Sequence, residues 1–287
     1  MNNSKILILT EGKSPDKSVI QNINEKFDIG GEIIWTKVGT IYAFYKLLKK
    51  EYEKTPYIEM ASYIKTRYKS KISEDFLSSQ ISRIYLFFDY DIHSELDSEY
   101  DDLEKISEKI KEIEEISKFF ANETEEGKLY LSFPMIEAYS KPVGVNFKYR
   151  KENFEELLKN FSNFKSKIKK ETRNRGNACI NSKYLEIIKF YIENSKKLLD
   201  LKIEEIERIK VLEFENNLLK NNRKINVFSG IPIFLKEYFG MKKLNKILIE
   251  KSKKEKYGFL NITILIMLSI YISETFGFDG GFYSYFL

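Results

Sequence analysis

The chain has one cysteine, Cys179, one histidine, His93, and five prolines in 287 residues. A single thiol excludes an internal disulfide framework, and one thiol with one imidazole cannot make a Cys/His zinc site. A reducing, cytoplasmic setting is the expectation. Long apolar runs are scarce too. The run from Ile6 to Leu9 is too short for the core of a signal peptide. The uncharged stretch YGFLNITILIMLSIYIS, 257–273, has 17 residues, against the roughly 20 that a membrane span needs. Asn261, Thr263, Ser269 and Ser273 dilute it further, so it reads as a buried C-terminal helix and no membrane is expected as a partner.

Charge and aromatic residues are plentiful. A composition of 43% hydrophobic, 15% aromatic and 32% charged residues is that of a folded chain, which excludes global disorder. The net charge of +5 hides an asymmetry. Residues 1–145 carry 20 Lys and Arg against 26 Asp and Glu, whereas residues 146–287 carry 28 against 17. An acidic half beside a basic half suits one part that gathers cations and another that faces a polyanion, although lysines that merely solvate long helices give the same balance.

The first half alternates between apolar runs and helical patterns. Strands are expected at Ile6–Leu9, 32–38, 83–91 and 128–134, with helices at about 15–27, through the forties to about 80, and at about 97–121. The alternation predicts an α/β fold, a mainly parallel sheet with helices on both faces. Beyond Pro142 the pattern becomes Lys-rich and amphipathic at 151–165, 181–222 and 232–256, a helical region. The expected division is therefore 1–145 and 146–287.

The informative residues stand at strand ends. KILILTEGKSPDK runs from a buried-strand pattern into Glu11 and Gly12, then Ser14, Pro15 and Asp16, which suit the start of a helix. YLFFDYD likewise ends on Asp89 and Asp91. In an extended strand, residues i and i+2 project on one side about 6.5–7 Å apart, so the two aspartates can converge on one ion. If the two strands are neighbours, Glu11 joins them at the carboxyl edge, where open α/β sheets bind ligands. Carboxylates so packed repel one another unless a cation neutralises them. All-oxygen ligands select a hard ion, Mg²⁺ or Mn²⁺, and point to phosphodiester chemistry. The plainer alternative is that these acids cap helices and form turns.

ILILTEGKSPDK and YLFFDYD resemble the motifs of the Toprim domain, shared by topoisomerases, DnaG-type primases, OLD-family nucleases and M5-type ribonucleases, over roughly residues 4–141. The resemblance implies a Toprim-like domain followed by a helical domain, with Glu11, Asp89 and Asp91 holding Mg²⁺ and Glu11 also serving proton transfer. LYLSFPMIEAYSK, 129–141, is similar to the corresponding segment of Toprim nucleases in bacterial anti-phage systems, and that likeness casts Glu137 and Lys141 in supporting catalytic roles. The activity implied is a metal-dependent nuclease, an RNase effector in phage defence. The partners implied are nucleic acid, an ABC-type ATPase protein and further copies of the chain. Two other readings stand beside it: a non-catalytic Toprim-like module that docks an ATPase, and a phosphoacceptor of receiver type.

Further residues admit two readings each. Lys13 can bind phosphate or sit exposed in a turn, and His93, two residues past Asp91, can be a general base or an idle loop residue. Glu95, Asp97, Glu99, Asp101 and Asp102 read mainly as the capped start of a helix. KSKIKKETRNR, 165–175, is the best nucleic-acid segment, with Lys169, Lys170, Arg173 and Arg175 as phosphate contacts, although a solvated helix end carries such charges too. Cys179 and Trp35 are expected in the core.

Overall fold

The computed structural model describes residues 5–12, 16–35, 39–55, 58–96, 102–173 and 175–254. Its first apolar runs form strands β1 (Lys5–Thr10), β2 (Gly31–Trp35) and β3 (Ile81–Asp89). Between them lie helices α1 (Asp16–Phe27), α2 (Ile41–Lys54), α3 (Met60–Arg67) and α4 (Glu74–Ser78). Helix α5 (Leu103–Phe119) then leads to β4 (Ala121–Asn122) and β5 (Gly127–Ser132). The five strands form one sheet in the order β2-β1-β3-β5-β4, in which only β4 runs antiparallel to its neighbour. The mainly parallel α/β sheet expected from the alternation is present.

Strand β3 explains why its sequence reads as an unbroken apolar run. Ile84, Tyr85, Leu86, Phe87 and Phe88 are all buried, and alternate side chains of a strand face opposite sides, so both faces of the sheet are covered. On one face Phe44 of α2 stacks on Phe88 with ring centroids 6.0 Å apart. On the other, helix α12 (Gly230–Phe239) sets Phe234 against Tyr85 and Phe87, at 5.0 Å each, and against Tyr130 at 5.3 Å. That approach needs a glycine at the start of α12, because a Cβ on Gly230 would lie 2.7 Å from the carbonyl oxygen of Leu131. Helix α5 buries Ile106, Ile110, Ile113 and Ile116 at helical spacing. It starts at Asp102, whose side chain accepts from the backbone N–H groups of Glu104 and Lys105, as the acidic run suggested; Asp97, Glu99 and Asp101 lie outside the described residues.

The remaining elements are α6 (Lys141–Gly144), α7 (Lys151–Phe154), β6 (Glu155–Leu157), α8 (Phe161–Glu171), α9 (Asn177–Asn181), α10 (Tyr184–Leu199), α11 (Arg208–Asn222) and β7 (Lys224–Asn226). The region is mainly helical, but the helix expected over 151–165 is interrupted by β6, which pairs antiparallel with β7. The pattern over 181–222 splits into α10 and α11, with Asp200 in a left-handed conformation at the break. A backbone bridge also joins Phe133, just after β5, to Phe228. Residues 1–238 accordingly make one compact unit and 239–287 a second. The division expected at 145 falls inside the first, because α12 is part of the cover of the sheet. The second unit is described as far as 254, as a helix over 241–254 that buries Leu244 and Leu248. The apolar stretch 257–273 lies outside the described residues, and among those described no helix is long and apolar enough to cross a membrane. Cys179 is exposed rather than buried, and the side chain of Trp35 is outside the description.

Glu215 of α11 is fully buried, and one of its carboxyl oxygens accepts from the N–H of Asn226 at 2.8 Å while the other has no hydrogen-bond partner. Burial pushes its pKa up from 4.5 to about 8, against the pull of Asn226. A carboxyl that keeps its proton on folding contributes most below its unfolded pKa, and that contribution is lost as pH rises towards the folded value. Unfolding by urea at pH 6 and pH 9 should show Glu215→Gln gaining on the parent with rising pH, by up to a few kcal/mol at pH 9.

Candidate functional site

The sheet order has a consequence for its carboxyl edge. Strand β1 leads to β2 on one side, whereas β3 leads on to β5 on the other. Neighbouring strands whose connections diverge leave a crevice between their carboxyl ends, the usual place for a ligand in an open α/β sheet. Thr10 is in register with Phe87 across the β1–β3 pair, and Asp89 with Ser132 across β3–β5. Glu11, just past β1, and Asp89, the last residue of β3, therefore stand at this crevice.

Three segments bring further carboxylates to the same place. The turn after β1 closes when the N–H of Gly12 donates to Asp16 Oδ2 at 2.8 Å, which fixes Asp16 at the start of α1. A Cβ on Gly12 would lie 3.0 Å from that same oxygen, so a larger residue after Glu11 would have to push the Asp16 carboxylate aside by a few tenths of an ångström. After β5, a 3₁₀ turn over Ile136–Ser140 begins with the N–H of Ile136 donating to Asp89 Oδ1 at 2.7 Å, and the next residue is the buried Glu137. The loop after β3 carries Asp91.

Asp91 arrives by a route the strand geometry did not anticipate. Strand β3 stops at Asp89, and Asp91 has φ 32°, a left-handed residue that opens the 3₁₀ turn Ile92–Glu95. The i, i+2 argument for an extended strand thus does not hold; the turn sets the position of Asp91. Its Oδ1 lies 2.9 Å from His93 Nδ1, so His93 stands beside a site carboxylate. The side chain of Glu95, and all of Lys13, lie outside the described residues.

The electrostatics show that these groups share one neighbourhood. Glu11 is pushed up to about 8, first by burial and then by the charges of Asp91 and Asp16, with Glu137 adding a smaller push. Asp89 is raised well above the usual carboxylate range by burial, then by Glu11, Asp16 and Glu137, against the hydrogen bond from Ile136. Asp16 is raised by burial, with the Gly12 N–H and the Lys165 charge opposing. Oε2 of Glu11 is buried without a hydrogen-bond partner.

Lys141 does not join this group. It is 1% exposed, and its Nζ donates to both carboxylate oxygens of Glu171 in α8, at 2.8 and 2.7 Å. The lysine beside the carboxylates is Lys165, one helical stretch earlier on α8, with Nζ 3.0 Å from Glu137 Oε1. Lys165 and Asp16 are the two site residues that the sequence reading passed over. Asp16 was visible as the acid at the end of EGKSPD, where a helix-start role was explanation enough. Lys165 was visible only as the first residue of a basic run. Of that run, Lys169, Lys170 and Arg173 are exposed and Arg175 is half-exposed.

What the edge offers positive charge is carboxylate oxygen, one buried oxygen without a partner and a mutual repulsion among the acids. Among the described residues no group of three or more His, Cys, Asp or Glu side chains is placed so that it could hold a metal ion. No protein-family model, no curated protein and no solved structure matches the chain.

Tyr90, between the two aspartates, anchors their loop. Its N–H donates to Ser132, and its hydroxyl donates to Asn216 Oδ1 of α11 at 2.7 Å. Asn216 donates onward to Glu114 of α5 at 3.0 Å. Tyr90 and Asn216 are both buried. Asn216→Leu strands the tyrosine hydroxyl and should cost about 1–3 kcal/mol in urea unfolding, whereas Tyr90→Phe should cost about 0.5–1.5 kcal/mol.

Proposed function

We propose that the chain is a metal-dependent nuclease that cleaves phosphodiester bonds, with Glu11, Asp89 and Asp91 as its metal-binding carboxylates. The observation that carries the reading is the meeting of Glu11, Asp16, Asp89, Asp91 and Glu137 at the topological switch point of a mainly parallel sheet. Acids gathered there out of water are stable as anions only with a cation among them. Mg²⁺ or Mn²⁺ bound by them would supply polarisation of a phosphoryl oxygen and an activated water.

The chain's own residues supply the rest of the proposed chemistry. Asp89 is oriented by the Ile136 N–H, which leaves its second oxygen for the ion. In proton transfer, the second role that the likeness gives Glu11, the carboxyl would act with the cation bound, a charge that opposes the rise to about 8 that burial, Asp91 and Asp16 impose. Asp16 and Glu137 deepen the negative field of the crevice. Lys141 is better assigned to holding α8 through Glu171 than to the reaction. The exposed Lys169, Lys170 and Arg173, with Arg175, offer the polyanion a basic approach at the end of the helix that carries Lys165. The Toprim likeness of the two strand-end motifs extends the proposal to an RNase effector of phage defence working with an ATPase partner.

Purified protein incubated with RNA and with DNA in Mg²⁺ or Mn²⁺ should cleave at least one of them. Glu11→Ala and Asp89→Ala should each lower the rate by about a hundredfold or more; cleavage that survives both substitutions would sink the assignment. In EDTA, where binding is read without cleavage, Lys169→Ala combined with Lys170→Ala should weaken nucleic-acid affinity. The slope of log affinity against log salt should fall by up to about two with both lysines removed.

A further inference from the structure

We infer that the loop between α6 and α7 is a platform for single-stranded nucleic acid, with bases stacked on Phe147 and Tyr149 and phosphates held by the cations around them. No edge carboxylate takes part, and the site extends the basic approach described above. The loop sequence VNFKYR, 145–150, alternates rings with charge: Phe147 and Tyr149 are half-buried, whereas Lys148 and Arg150 are exposed. Each ring is fixed from within. Tyr149 stacks on the buried Phe154 with centroids 5.8 Å apart, and its hydroxyl donates to the backbone carbonyl of Lys197 at 2.9 Å; Phe147 meets the buried Phe190 at 6.3 Å. Cations from the two ends of α10 then stand over the rings, Lys183 Nζ 5.7 Å from the Phe147 centroid and Lys197 Nζ 5.6 Å from that of Tyr149. Rings accept the flat face of any base, and cations beside them serve the phosphates between, which is how single strands are bound without reading their sequence.

The loop backbone is held in a form that a packing role does not call for. Asn146 and Phe147 both have positive φ, 50° and 57°. Asparagine is at home there after a helix end, whereas a bulky ring in that region is an outlier, and such outliers gather where ligands bind. The turn is pinned nonetheless, since the Phe147 N–H donates to Pro142 at 2.7 Å and the Lys148 N–H to Val145 at 3.1 Å. The platform also continues into the basic run. A Cβ on Gly144 would lie 3.0 Å from Glu171 Cβ, so the foot of the loop abuts the end of α8, where Lys169, Lys170 and Arg173 are exposed. Glu171 is the acid that interrupts that run, and the buried Lys141 claims its carboxylate. Glu155, whose charge acts on Tyr149, is answered by Lys224 at 2.9 Å and Lys151 at 3.5 Å. Both acids are thus already partnered, and neither cancels the exposed cations.

The test is fluorescence anisotropy of the full chain in EDTA, where binding is read without cleavage, with labelled oligo(U), oligo(dT) and a duplex, each of about fifteen nucleotides. The parent should bind at least one single strand several-fold more tightly than the duplex. Phe147→Leu and Tyr149→Leu should each weaken that binding about five-fold or more, with the slope of log affinity against log salt unchanged. Tyr149→Phe, which keeps the ring, should recover the affinity that Tyr149→Leu loses. Lys148→Gln should instead lower the salt slope by up to about 0.7, and Lys50→Gln, at an exposed position of α2, should match the parent. Thermal unfolding checks that each variant is folded, and if Tyr149→Leu is not, Phe147→Leu carries the test. Parent-like binding by folded ring variants, or equal affinity for duplex and single strand, would overturn the inference, and cleavage by the parent would then leave the nuclease reading standing. Ring-dependent binding without cleavage in Mg²⁺ or Mn²⁺ would uphold the platform and remove the nuclease reading alone.

Discussion

Carboxylates brought together out of water repel one another, and the carboxyl edge of this sheet gathers acids from four separate segments. Glu11 follows β1, Asp16 opens α1, Asp89 and Asp91 follow one another at the end of β3, and Glu137 lies beyond β5. Folding must bring these groups together against their mutual field, and the surrounding structure supplies the opposing forces one at a time. The Gly12 N–H serves Asp16, the Ile136 N–H serves Asp89, His93 stands beside Asp91 and Lys165 beside Glu137. The Asp89 backbone N–H pulls against the rise of Glu11, whose Oε2 still has no hydrogen-bond partner. The arrangement is costly for stability, and functional sites are where such costs are concentrated.

Packing away from the edge makes the arrangement possible. Covering β3 on both faces, with Phe44 on one side and Phe234 on the other, leaves its carboxyl end rigid. Tyr90 then ties the loop between the two aspartates to α11 and α5 through Asn216. Side chains that depend on exact placement are thus borne by strand ends and turns whose backbones are hydrogen-bonded on several sides.

Much of the frame was legible in the sequence because burial on two faces leaves a plain trace. The runs Ile6–Leu9 and Ile84–Phe88 have no polar alternation, and an acid follows each within two residues, so the strands and the edge could be read directly. What could not be read was spatial order and local backbone. That β1 and β3 are neighbours depends on the whole sheet, and that Asp91 adopts a left-handed turn depends on the backbone contacts of the loop, including its N–H to Pro134. The choice between Lys141 and Lys165 was hidden for a similar reason. Both are lysines near the site along the chain, and only the fold shows that Glu171 claims the first. The break of the helical pattern at β6 was equally hidden, since a three-residue strand owes its form to its partner β7.

The link from Tyr90 to Asn216 spans 126 positions of the chain, and Phe234 of α12 completes the shielding of β3 from still farther away. The acidic and basic portions are therefore not separable modules, despite their contrast in composition. A fragment excised at the change in charge would keep every acid of the edge yet lose the groups that seal and brace it.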